Sequence, residues 1–116
     1  MELKDIVIAQ KDFDKRHFGK LELTPERLLY LMTCLAGETG ELANLVKKYY
    51  REKARNYRLP TDDQKDFVSL MKEELTDVFI YTMILSYLLD VDLEKEFFNK
   101  LKKNEERFKD VNLNNS

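Results

Sequence analysis

The stretch RLLYLMTCLAGETGELANLVKK, Arg27 to Lys48, repeats apolar residues at three- and four-residue intervals and carries two glutamates inside the repeat. At about 100° of rotation per residue, this spacing winds an amphipathic helix. Leu31, Cys34, Leu35, Leu42 and Leu45 fall on one face, and Glu38 and Glu41 share it. A second stretch, DFVSLMKEELTDVFIYTMILSYLL from Asp66 to Leu89, repeats the arrangement. There Glu74 and Asp77 lie on the face of Phe67, Leu70, Met71, Val78 and Leu85. Carboxylates three apart on a helix are close enough to chelate one cation or bridge two. If the two apolar faces make the core, four acids point inward together, and unpaired charges in an apolar interior are strongly unfavourable. A hard divalent cation accounts for them.

The rest of the chain extends the helical pattern. Only three glycines and two prolines occur in 116 residues, and strand-like alternation is absent, so the expected fold is all-α with four principal helices. The first runs from near Glu2 to about Phe18, with Leu3, Ile6, Val7, Gln10 and Phe13 along one side, and stops at Gly19. The second opens at Thr24-Pro25, where threonine caps free N–H groups and proline suits the first helical position, and reaches about Tyr57. Its basic C-terminal half, with Lys47, Lys48, Arg51, Lys53, Arg55 and Arg58, matches the negative end of a helix dipole. Leu59-Pro60 breaks the pattern, and Thr61 with Gln64 reads as a capping box for a third helix ending near Leu89. Asp90-Val91-Asp92 then turns the chain, with Asp92 capping a fourth helix that continues to about Phe108. One helical domain over residues 1–109 and a polar tail over 110–116 are expected. Ala36, Gly37, Gly40 and Ala43 form a strip of small residues beside Glu38 and Glu41. Glycine within a helix costs up to about 1 kcal/mol relative to alanine, so the strip suggests a tight helix contact or room for a ligand.

Composition narrows the function. Twenty-two acidic and twenty basic residues give a formal charge of −2, which offers no bulk electrostatic attraction to nucleic acid or membrane surfaces. The single cysteine, Cys34, excludes an internal disulfide and fits a reducing compartment; its place on the apolar face suggests packing. Met1 to Gln10 mixes Glu2, Lys4 and Asp5 with apolar residues, unlike a secretory leader, so a cytoplasmic location is expected. The most apolar run, Val78 to Leu89, is shorter than the roughly 20 residues of a spanning helix. A carboxylate-bridged di-iron bundle would pair its glutamates with Glu-x-x-His, and the one histidine, His17, stands in no such motif.

Neither Glu-x-x-Glu nor Glu-x-x-Asp is informative alone in a chain this charged. In context, Gly37-Glu38-Thr39-Gly40-Glu41-Leu42 followed by Glu74-Leu75-Thr76-Asp77-Val78-Phe79-Ile80-Tyr81 resembles the ExxE and ExxD motifs of MazG-like, all-α nucleoside triphosphate pyrophosphohydrolases, relatives of dimeric dUTPases and dCTP pyrophosphatases. The resemblance runs from about Gln10 to Arg107. It takes in the aromatic end of the first helix (Phe13, His17, Phe18), the lysines after the first motif (Lys47, Lys48) and a closing K-x-x-x-N-x-x-R pattern at Lys100, Asn104 and Arg107. It departs at Gly37, where many members carry a further glutamate.

The resemblance implies hydrolysis of a nucleoside triphosphate, standard or modified, to the monophosphate and pyrophosphate, in the manner of a nucleotide-pool house-cleaning enzyme. It implies magnesium, with manganese an alternative, held by Glu38, Glu41, Glu74 and Asp77, and attack at the α-phosphorus by water oriented by one of them. Magnesium prefers a few carboxylates completed by water and phosphate oxygens. Tyr81, four residues after Asp77, should reach the same site. Lys100, Asn104 and Arg107 share a side of the fourth helix and would suit pyrophosphate oxygens if that side faces the acids; Lys103 reads as solvated. Phe13, His17 and Phe18 are the implied enclosure of the base. The implied assembly is a homodimer or homotetramer that covers apolar surface left on the second and third helices. The alternative is a non-catalytic helical interaction or regulatory module that keeps the fold.

Overall fold

The computed structural model describes residues 1–53 and 65–111. Four helices occupy them: α1 (Leu3–Phe18), α2 (Pro25–Lys53), α3 (Lys65–Leu88) and α4 (Leu93–Arg107), with no strand among the described residues. The expected continuation of α2 toward Tyr57, the Leu59-Pro60 break, the Thr61 capping box and residues 112–116 of the tail lie outside the described residues.

Local chemistry sets the helix ends. The Glu2 N–H donates to Asp5 Oδ2 at 2.8 Å, which starts α1, and Gly19, at φ 76°, ends it with its N–H on the Lys15 carbonyl at 3.1 Å. Thr24 Oγ1 accepts the Arg27 N–H at 3.0 Å ahead of α2. Asp92 Oδ1 accepts the Lys95 N–H at 3.1 Å ahead of α4. The turn between α3 and α4 holds a feature that spacing alone did not disclose. Asp90 takes a left-handed conformation, φ 55°, and the Val91 N–H closes back on the Ser86 carbonyl at 2.8 Å. Aspartate is among the few non-glycine residues that enter this region readily, so the helix ends in a Schellman-type cap without glycine.

α2 and α3 form the principal contact, α1 lies against α3, and α4 rests on α1. Leu31, Ile84 and Leu85 are buried together, with Leu21, Leu28, Leu35, Ile80, Tyr81, Tyr87 and Leu88 packed around them. One link is polar: the Tyr87 hydroxyl donates to Asp14 Oδ2 at 2.6 Å and joins α3 to α1. The only buried residue of α1 is Asp14, not one of the apolar residues expected along its inner side; Ile6 and Phe13 are exposed at 39% and 44%.

Much apolar surface is left open. Leu29, Tyr50, Phe97 and Phe98 are exposed at 58–71%, and Leu70, expected on the inner face of α3, is exposed at 49%. The chain presents 9840 Å² to solvent, whereas a compact monomer of this mass presents about 6,700 Å². Its radius of gyration is 18.4 Å, against about 13 Å for a compact domain of this length. A side-chain Cβ placed on Gly37 or Gly40 would meet nothing within 4 Å, so among the described residues no other segment makes a close approach at the small-residue strip.

Candidate metal and nucleotide site

The acids converge where α2 and α3 pack. Glu38 and Glu41 stand a helical turn apart on α2, and Glu74 faces them from α3; one carboxylate oxygen from each of the three lies within 4.8 Å of the other two. Their burial differs from the expectation of four inward acids. Glu38, Glu74 and Asp77 are half-buried, whereas Glu41 is exposed on a flank of α2 where, among the described residues, nothing approaches the neighbouring Gly37 and Gly40. Among the described residues the only ion pairs are Lys4 with Glu2 and Lys109 with Glu106, so no cation among them is paired with the cluster.

Two oxygens carry the case for a ligand. Glu38 Oε2 and Glu74 Oε2 are shut off from solvent and have no hydrogen-bond partner among the described residues. A buried unsatisfied carboxylate oxygen is costly, and a cluster of them is costlier. The strain appears in protonation: the Glu38 carboxyl is pushed up from 4.5 to about 7, first by burial, then by the Glu74 carboxyl beside it and by repulsion from Glu41 and Asp77. A proton relieves such a site in one way and a divalent cation in another. Three hard oxygen donors, with open space on the Glu41 side for water or phosphate oxygens, fit magnesium or manganese better than the softer metals, which favour thiolate and imidazole.

Asp77 stands outside the close trio and lines a cavity of about 620 Å³ that also includes Glu38. The cavity runs between α1, α2 and α3. Phe13 and Phe18 contribute to its wall from α1, Leu31 from α2, and Ile80, Tyr81 and Ile84 from α3. Tyr81 is held in its proton-bearing form, pushed up to about 12 by burial and then by the neighbouring Cys34 thiol, so its hydroxyl is a hydrogen-bond donor at neutral pH. His17 does not line the cavity; its ring lies against Phe13 with centroids 4.5 Å apart. Lys100, Asn104 and Arg107 are not among the lining residues either. They sit on α4, which packs on α1, and the Arg107 guanidinium lies over the Phe108 ring at 4.7 Å. They belong neither to the close trio of acids nor to the cavity wall.

Three polar lining residues escaped the sequence: Asp14, Arg27 and Tyr30. Asp14 continues the three- and four-residue series Leu3, Val7, Gln10, which was the available signal. Its charge disguised it as a solvated position.

A family model described as the MazG nucleotide pyrophosphohydrolase domain matches residues 26–112. That span takes in α2, α3 and α4 with all four acids, and begins after α1. Comparison with curated proteins and with solved structures finds no match.

Proposed function

The chain belongs to the family of MazG nucleotide pyrophosphohydrolase domains, and from that premise we propose that it hydrolyses a nucleoside triphosphate to the monophosphate and pyrophosphate with magnesium, or manganese, as cofactor. The observation that carries this reading is the pair of buried, unpartnered oxygens on Glu38 and Glu74 beside Glu41, at one end of a cavity large enough for a nucleoside. Glu38, Glu41 and Glu74 would hold the ion, and Asp77 joins the set from the cavity side. Magnesium supplies charge neutralisation on the phosphates and on the leaving pyrophosphate. The carboxylates set where the α-phosphorus lies and orient the water that attacks it.

The cavity wall does the remaining work. The proton-bearing Tyr81 hydroxyl donates to a phosphate or sugar oxygen, and its ring borders the nucleoside. Phe13 and Phe18 enclose the base from α1, with His17 bracing Phe13. Lys100, Asn104 and Arg107 would reach phosphate only through a second copy of the chain. Assembly into a homodimer or homotetramer is part of the proposal, supported by the excess of exposed apolar surface. So is a single helical domain over residues 1–109, with a cytoplasmic location that suits the free Cys34. No helix among the described residues is long and apolar enough to cross a membrane.

The test is pyrophosphate release from a panel of standard and modified triphosphates, with magnesium and then manganese. Substrate labelled at the α-phosphate should yield labelled monophosphate. Diphosphate with orthophosphate would assign the cleavage to the wrong bond, and turnover of no triphosphate would favour the non-catalytic interaction module.

A further inference from the structure

We propose that Asp14 reads the base: it accepts a hydrogen bond from an exocyclic amino group, so the site favours triphosphates of cytosine or adenine over uracil or hypoxanthine counterparts that present a carbonyl there. The proposal rests on the reading of the acidic cluster as the triphosphate end.

The cavity is polar at both ends and apolar between. From Asp77 to Tyr87 along α3 is ten residues, about 15 Å at 1.5 Å per residue. From Glu38 back to Arg27 along α2 is eleven residues, a similar distance of about 16 Å. Leu31, Ile80 and Ile84 line the cavity between these ends. A nucleotide seated with its phosphates at the acids therefore directs its base toward the Asp14 and Arg27 end. Ligand sites commonly have this form, apolar walls with a few placed polar groups that fix identity.

Asp14 is held for such a task. It is 3% exposed and lines the cavity. Gln10 Nε2 donates to its Oδ1 at 2.9 Å and the Tyr87 hydroxyl to its Oδ2 at 2.6 Å. Both donors are neutral, and no ion pair forms at Asp14 among the described residues. A carboxylate offers about four acceptor sites, and these two donors fill two, orienting the group while leaving acceptor capacity for a ligand. What remains accepts only. An amino group satisfies it, while a carbonyl sets oxygen against oxygen and leaves buried acceptors unmet. Half-buried Arg27 makes no ion pair among the described residues and supplies donors for the ring acceptor beside the amino group.

The experiment compares kcat/KM within two pairs that differ at one ring substituent, dCTP with dUTP and dATP with dITP. The wild-type protein is expected to favour the amino member of each pair by about tenfold or more. Asp14→Asn, whose Nδ2–H donates to a carbonyl, is expected to bring both ratios to within about threefold of unity. Each ratio is taken within one preparation, so a loss of folded protein does not imitate the effect. Pyrophosphate release with no preference, or with a preference for the carbonyl members, overturns the base reading and leaves the activity standing. If no triphosphate is turned over, melting shifts with α,β-imido analogues of the same four decide. Larger shifts with the amino members uphold the base reading without the activity; equal shifts, or none, overturn it.

Discussion

Glu38 concentrates the chemistry of the molecule in one side chain. It contributes to the close trio, borders the cavity and keeps its proton to about pH 7 in the metal-free protein. Because its carboxyl is raised from 4.5, the proton it retains stabilises the fold at acid pH, and this contribution is lost as pH climbs toward about 7. The melting temperature of EDTA-treated protein is therefore expected to fall between about pH 5 and 7.5, and magnesium or manganese added at the upper pH should restore it. A Glu38→Gln variant should show neither the fall nor the recovery; a profile that matches the wild type would remove Glu38 from the cluster's electrostatics. Glu41→Gln is expected to lower metal-dependent pyrophosphate release by about a hundredfold or more while leaving the helical circular dichroism unchanged, because Glu41 is exposed and bears no packing load. Full turnover in that variant would take Glu41 out of the metal site.

Between elements, the decisive contact is the polar one that ties α1 to α3. Tyr87 donates to buried Asp14, and Lys11 adds its ammonium over the Tyr87 ring at 5.7 Å. Tyr87→Phe leaves Asp14 Oδ2 without its donor and should cost about 1–3 kcal/mol in urea unfolding. A change within error would mean that water replaces the hydroxyl freely. At the α4 start, Asp92→Ala should cost about 1 kcal/mol by removing the acceptor for the Lys95 N–H. Three helix ends were legible in advance because a cap depends on residues within one turn of it: Gly19, Thr24-Pro25 and Asp92 act where their spacing placed them. The left-handed Asp90 was not, since aspartate only permits that conformation and the closure on Ser86 requires it.

For the whole molecule, the imbalance between core and surface is the main physical fact. Among the described residues four apolar side chains are buried, while Leu29, Leu75, Phe97 and Phe98 stand more than half exposed. The excess over a compact monomer, about 3,000 Å², is of the size that obligate assemblies bury. Light scattering is expected to give a dimer or tetramer, and lysine at Leu29 or Phe97 should shift one of those contacts toward smaller species and lower the melting temperature. A wild-type monomer at micromolar concentration would refute the assembly.

Among the described residues, the sequence alone determined the four helices, the caps at Gly19, Thr24 and Asp92 and the pairing of acids within each helix, because each depends on periodicity or on groups within a turn of one another. Helical geometry carries i to i+3 and i+4 relations directly into space, which puts Glu41 beside Glu38 and both Glu74 and Tyr81 beside Asp77. Only the tertiary structure decided which acids meet. It drew Glu38, Glu41 and Glu74 together, set Asp77 on the cavity wall, and left Lys100, Asn104 and Arg107 on a helix that packs elsewhere. It also buried Asp14 against Tyr87, 73 residues away. Such relations depend on how α1 crosses α3 and how α2 lies against it, and no local spacing encodes a crossing.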